Sequence, residues 1–261
     1  VGKRRVSLRW WYWLLACLPL LTACQAGGRS MQASELFQPP MATLLQTIRK
    51  GDETEARRQL AQGLNLNIHG KEGITPLLWL VMEKDKSATQ WALKLGADPN
   101  FRAGNGNNAV NMVAGAKSPE WLKMMLDAGG DPNSMDANKS PVLFSAINES
   151  RWDDIKLLVE RGADLNLEDA QKRNSALYAA YINEYETVYW LIEHGAKVDT
   201  YSATGGSLAW RVHDSLSIVA NNSPNYSWLL KVKQQLQQRG IKFPPLSPEE
   251  VRERRARGES L

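Results

Sequence analysis

Cysteine is almost missing: the 261-residue chain has two, Cys17 and Cys24, both near its start. No disulfide can staple the chain beyond residue 24, so that part must hold by packing alone. Histidine is scarce as well, and His69, His194 and His213 have no Cys or second His beside them at metal-ligand spacing. No metal site is expected. Gly-x-Ser-x-Gly, a phosphate-cradling glycine loop and a thiol beyond residue 24 are all missing, which excludes the common nucleophile and phosphate chemistries. A protein that is not an enzyme and carries no cofactor is the expectation. A surplus of one charge is missing too: Lys3, Arg4, Arg5 and Arg9 carry the whole net +4, and no acidic residue precedes Glu35. The balanced remainder argues against nucleic acid as a partner.

What is present is a period. Gly63-Leu64-Asn65-Leu66-Asn67, Gly96-Ala97-Asp98-Pro99-Asn100, Gly129-Gly130-Asp131-Pro132-Asn133, Gly162-Ala163-Asp164-Leu165-Asn166 and Gly195-Ala196-Lys197-Val198-Asp199 begin 33 residues apart each time. A fixed period of this length means stacked supersecondary units, because one unit alone cannot bury its apolar face. The leading glycine caps a helix in the left-handed region. Upstream of it, Trp91-Ala92-Leu93, Met124-Met125-Leu126, Leu157-Leu158-Val159 and Trp190-Leu191-Ile192 are the buried faces of second helices. Gly73-Ile74-Thr75-Pro76-Leu77-Leu78 opens a first helix, with Thr as cap and Pro in the first turn.

Turn, helix, helix, Gly-Ala-Asp-x-Asn resembles the ankyrin repeat, over roughly residues 42 to 243. The family's Thr-Pro-Leu-His is degraded: Leu78, Asn111, Leu143 and Leu177 stand for the His, and Ser140-Pro141 is the second Thr-Pro equivalent. The resemblance implies an all-α ankyrin-repeat solenoid of about six helix-turn-helix repeats, occupying residues 41–245. Units two to five are expected at 73 to 100, 106 to 133, 139 to 166 and 172 to 199. The third, with Gly104, Gly106, Gly115 and five asparagines between residues 100 and 111, is expected to fray locally. In the sixth, about 12 extra residues are expected in a loop at Asn221-Asn222-Ser223-Pro224-Asn225. Recurrent Asp98, Asp131 and Asp164 suit turn hydrogen bonding better than calcium.

Before the repeats, the basic start and the 14 uncharged residues from Trp10 to Ala23 read as a signal peptide over residues 1–23, short of the about 20 that a span needs. Leu21-Thr22-Ala23-Cys24 resembles the bacterial lipobox, which implies lipidation of Cys24. Leu14-Leu15-Ala16-Cys17 is the weaker rival, and an ordinary signal or an uncleaved anchor is the alternative. The implied address is the periplasm, tethered to the outer membrane because Gln25 is not aspartate, with residues 24–40 as a flexible leash. Residues 246–261 form a charged C-terminal tail, a solvated surface helix or frayed end.

Without catalytic groups, what remains is a surface made of first helices and turn tips, and such surfaces bind proteins. Most tryptophans read as core, with Trp79, Met112, Phe144, Tyr178 and Trp210 at roughly equivalent places. The residues packing does not demand are the partner-binding candidates: Phe101, Arg102, Asn105, Met135, Asp136, Lys139, Asn148, Glu149, Glu168, Asp169, Lys172, Arg173, Tyr181, Asn183 and Tyr201. The expected role is an immunity protein that occludes a secreted antibacterial effector, such as a type VI lipase. An envelope scaffold or holdase is the alternative; convergent carboxylates from separate repeats would make an enzyme.

Overall fold

A computed structural model describes residues 31–114, 116 and 118–261. Among these residues the chain is helical, and the only extended pairings are isolated bridges at Met135–Pro141 and Tyr201–Ser207. A short helix α1 (Ala33–Leu36) leads into six helical pairs. They are α2 (Pro39–Arg49) with α3 (Glu53–Ala61), α4 (Pro76–Met82) with α5 (Lys86–Lys94), and α6 (Ala109–Ala114) with α7 (Pro119–Asp127). Then come α8 (Val142–Asn148) with α9 (Trp152–Glu160), α10 (Ser175–Tyr181) with α11 (Tyr185–Glu193), and α12 (Leu208–Ile218) with α13 (Pro224–Gln238). A last helix α14 (Pro248–Arg257) completes the described chain.

The first helices of the inner pairs, α6, α8 and α10, pack on the first helices of both neighbours and on their own second helices, and α4 packs on α6 and on α5. That is why α4 reads Pro-Leu-Leu-Trp-Leu, with all five residues buried. Second helices bury one stripe, such as Ala88, Thr89 and Ala92 of α5. Caps recur at the period: Thr75 accepts from Leu78 N, Asn108 from Asn111 N, Asn174 from Leu177 N and Ser207 from Trp210 N, each cap contributing about 1 kcal/mol.

The cap series passes through Pro141, not Ser140, and α8 has no side-chain cap. This corrects the register within unit four. Phe144, not Leu143, is equivalent to Leu78, and the residue equivalent to Trp79, Met112 and Tyr178 is Ser145. Trp210 likewise matches Leu78, while Arg211 matches Trp79.

In unit three α6 is described over Ala109–Ala114, and Gly115, part of the fraying expectation, lies outside the described residues. Its asparagines are used: Asn108 caps α6 and donates to Ser134 Oγ at 2.8 Å, and Asn107 Oδ1 accepts from Ala137 N. Gly104 is needed where two finger loops touch, because its N–H donates to Gly73 O at 2.9 Å and a Cβ on Gly104 would lie 2.9 Å from Gly73 Cα.

In the sixth unit the added residues chiefly lengthen helices. Helices α12 and α13 have 11 and 15 residues against 7 and 9 in α4 and α5, and the turn between them is only slightly longer. The expected loop insertion is therefore corrected: Pro224 and Asn225 already lie in the first turn of α13, and Ser223 caps it through Asn225 N.

The amino end is folded where the sequence suggested a leash, and the carboxyl tail takes the surface helix that was one of its two expected forms. Residues 1–30, with the expected signal peptide, the Cys24 lipidation site and the first part of the leash, lie outside the described residues. From Met31 onward the leash is corrected: Met31 O accepts from Trp79 Nε1 at 2.9 Å, and Ala33, Leu36 and Phe37 are buried. Their apolar area covers the exposed end of the stack. At the other end α14 begins with a capping box, Ser247 with Glu250, and buries Val251 against Gly205.

Candidate functional site

Two loop edges flank the helical pairs. On one, the turn after each second helix is fixed by a ladder: Asn67, Asn100, Asn133 and Asn166 donate through Nδ2 to Gly96 O, Gly129 O, Gly162 O and Gly195 O at 2.9 to 3.5 Å. Each Asn Oδ1 accepts from the N–H of Asp98, Asp131, Asp164 or Lys197 in the next unit at 2.6 to 2.8 Å. The aspartates accept from the Asn N–H two residues on, as turn hydrogen bonding requires. Asp199 takes the Asn position in the fifth turn.

On the other edge lie finger loops, closed by a backbone bond such as Asp136 N to Ser140 O at 2.9 Å or Asp169 N to Arg173 O at 3.0 Å. Lys139 and Lys172 sit at the tips with φ 59° and 61°, where Gly73, Gly106 and Gly205 stand in other units.

The candidates divide on this frame. Several serve the fingers themselves. Arg102 donates to Gly106 O and to Met135 O in the next finger, Phe101 stacks on His69 with centroids 5.0 Å apart, and Asn105 Oδ1 accepts from Asn107 N. Met135 takes part in the finger bridge to Pro141. Asp169 is buried, with Oδ1 accepting from Gln171 N and Arg173 N and Oδ2 held by the Arg173 guanidinium at 2.6 and 2.8 Å. It is thus a finger clasp with no face left for a partner. Asn183 lies in the turn between α10 and α11 with φ 64°, and its carbonyl accepts from Asn225. Tyr201 lies under Arg255 of α14, 5.8 Å away. Lys139 and Lys172 remain exposed at the tips, Lys172 with Glu168 at 3.5 Å.

Three others are brought together. Asp136, Asn148 and Glu149 line one open cleft of about 320 Å³, with Ser140, Phe144, Ser145 and Tyr178. The cleft exists because Ser145 occupies the position that Trp79, Met112, Tyr178 and Arg211 fill elsewhere. Its wall is aromatic: Phe144 and Tyr178 stack with centroids 4.2 Å apart. Burial pushes the Tyr178 phenol above its usual range, so it stays a neutral hydrogen-bonding group. Beyond it Arg173 lies 5.1 Å from the Tyr178 ring and 5.3 Å from Tyr181, while Arg211 lies 5.0 Å from Tyr181. Ser140, Ser145 and Tyr178 were missed as site residues; correct counting of the period through unit four would have shown Ser145 as the small residue among large ones.

Elsewhere, the histidines are engaged structurally. His194 stacks on Trp190 with centroids 3.6 Å apart and its Nδ1 lies 2.7 Å from Trp190 O, and His69 Nε2 lies 2.7 Å from Arg102 O. Among the described residues no three of His, Cys, Asp and Glu converge as metal ligands, and no helix is long and apolar enough to cross a membrane.

Residues 110–202 match the family model for ankyrin repeats (3 copies). No curated protein matches the sequence significantly. Among solved structures, the ankyrin repeat domain of Bcl-3, described as a unique member of the IkappaB protein family, is similar with TM-score 0.57 and 24% identity, covering 80% of this chain and 92% of that one. An ankyrin repeat domain from Acinetobacter baumannii AYE has TM-score 0.61 at 16% identity, covering 77% and 98%. The ankyrin repeat protein EF0377 has TM-score 0.58 at 20% identity, covering 74% and 96%. The chain therefore folds as an ankyrin-repeat solenoid, and its units three to five are similar in sequence to that family.

Proposed function

We propose that this chain is a periplasmic immunity protein, moored to the outer membrane through lipidated Cys24, that binds and neutralises a secreted antibacterial effector such as a type VI lipase. Ankyrin repeats are protein–protein interaction modules, which supports the coarser part of this reading. The observation that carries it here is the open cleft lined by Asp136, Asn148, Glu149 and Tyr178, on the same edge as the exposed Lys139 and Lys172 tips: a recess with charged groups around it at the surface of the stack. Address and effector rest on the start of the sequence, whose basic segment, short apolar stretch and Leu-Thr-Ala-Cys suit an exported lipoprotein.

The direct test is co-purification of the chain with the product of an adjacent secreted-toxin gene, then calorimetry. A complex that weakens on Lys139→Glu or Glu149→Lys supports the proposal. Full survival of a deletion strain beside its own kin refutes immunity, and binding of unfolded clients without preference replaces it with a holdase.

A further inference from the structure

The sixth pair projects from the stack on the side of the turn between its two helices. Ser207 caps α12 as Asn174 caps α10, so the two helices begin in register; α12 has 11 residues against 7, and the added ones lie at its far end. Gly240 follows α13 as Gly195 follows α11, both at positive φ; α13 has 15 residues against 9, and the added ones lie at its start. At about 1.5 Å per residue, the tip between them stands roughly 6 to 9 Å beyond the corresponding turn of the fifth pair. This tip is apolar. Among the described residues the large hydrophobics left exposed are Met82, Ile218, Leu230 and Leu261, and Ile218 exceeds the others at 75%. Ile218 ends α12, and α13 carries half-exposed Tyr226 and Trp228 ahead of Leu230. Helix α13 packs on α11 and α12 and buries Leu229, Val232, Gln235 and Leu236, which leaves Ile218, Tyr226 and Leu230 outside the core.

The charge around the tip has one sign. Between Asp214 and Glu249 the sequence has no acidic residue, while Lys231, Lys233, Arg239 and Lys242 all fall in that stretch. Arg239 is paired with Glu193. Lys231 instead lies 3.8 Å from the Trp228 ring and Lys233 lies 5.3 Å from Phe243, and among the described residues neither forms a salt bridge. Exposed aliphatic side chains beside Tyr and Trp, flanked by lysines with no acid, match the headgroup layer of a bilayer. There the aliphatic groups reach the acyl boundary, the rings sit at headgroup level, and lysine stems run over apolar surface with the ammonium at the phosphates. A protein interface is by contrast depleted in lysine.

We infer that the α12–α13 tip is a peripheral membrane contact, which takes anionic lipid headgroups on Lys231 and Lys233 and seats Ile218 and Leu230 at the acyl boundary. The contact goes beyond the effector-binding reading and stands without Cys24. Together with the mooring proposed above it makes a second attachment, at the opposite end of the stack from the leash, and lays the solenoid along the bilayer.

The test mixes the full chain with vesicles of phosphatidylethanolamine and phosphatidylglycerol and follows amide exchange peptide by peptide. Residues 215–231 should become protected, and less so on phosphatidylcholine vesicles, because each lysine at an anionic surface contributes about fivefold to binding. Lys231→Glu, and separately Ile218→Asn, should lower that protection at least about fivefold. Both side chains are exposed, so the variants keep the fold, which an unchanged thermal melt verifies. Protection confined to residues before Met31, equal protection on phosphatidylcholine, or undiminished protection in both variants overturns the inference. So does protection of the tip by an acidic protein and not by vesicles. A chain that carries no acyl group on Cys24 and still protects residues 215–231 sinks the mooring alone; an acylated chain whose tip stays open to exchange sinks this contact alone.

Discussion

The two loop edges of this solenoid are built to different rules. The turns after the second helices repeat one solution four times, with Asn67, Asn100, Asn133 and Asn166 making the same pair of inter-unit hydrogen bonds. The fingers repeat only a backbone outline. Gly70, Ala103, Asp136, Asp169 and Ser202 occupy one position, and Gly73, Gly106, Lys139, Lys172 and Gly205 another. An edge whose side chains complete backbone bonds cannot vary cheaply, because each loss strands a donor or acceptor; one closed mostly by its own backbone can. The first edge carries stability, and the second can vary in its side chains without losing its backbone closure.

The largest expected effect tests that division directly. Asn100→Ala with Asn133→Ala removes four inter-unit hydrogen bonds and should cost roughly 3 kcal/mol, read as a lower urea midpoint with unchanged slope. A loss no greater than that of an alanine pair on the fingers would break the comparison.

The next effect is at the turn leading into α9, where unit four departs from the pattern of unit two. Asp85 caps α5 through Ala88 N, whereas Arg151 gives α9 no cap and Asp154 is a buried carboxylate paired with Arg151. Burial outweighs the Arg151 charge and raises the Asp154 pKa. The folded state thus holds this proton to higher pH than the unfolded one, so stability falls as pH rises from the ordinary carboxylate value through the raised one. Arg151→Asp with Asp154→Ala copies unit two. It should gain about 1 kcal/mol at pH 7 and flatten that pH dependence, as thermal melts from pH 3 to 7 would show.

On the fingers the expected changes are smaller and of opposite sign for stability and binding. Lys139→Gly and Lys172→Gly relieve a left-handed backbone and should each gain about 0.5 kcal/mol by chemical denaturation, while removing charge a partner would meet. The smallest effect is at the surface of α3. Hydrogen bonds from Arg58 and then Gln59 hold the Glu55 pKa down to about 2. Its contribution should be present at neutral pH and fade as pH falls from about 4.5 through that value, so Glu55→Gln and wild type should converge in acid.

The fold was legible because a 33-residue period is a global signal that survives local decay, and the caps and glycines mark each boundary. The site was legible only in pieces. Asp136, Asn148 and Glu149 were identifiable as polar residues with no packing duty, but Ser145 was hidden by a one-residue miscount at Ser140-Pro141. Asp169 looked free because sequence does not show that Arg173 lies over Tyr178 and clasps it. The lengthened α12 and α13 were read as a loop since Asn221-Asn222-Ser223-Pro224 carries the composition of one, while Ser223-Pro224 is also how a helix begins.

The asparagine ladder points one way along the chain. Every rung reaches from a unit to the one that follows it, so each unit presents a side-chain amide to its successor. Trimming units from the carboxyl side idles one asparagine, whereas trimming from the amino side strips an acceptor from a main-chain donor. The stack tolerates shortening unequally from its two sides.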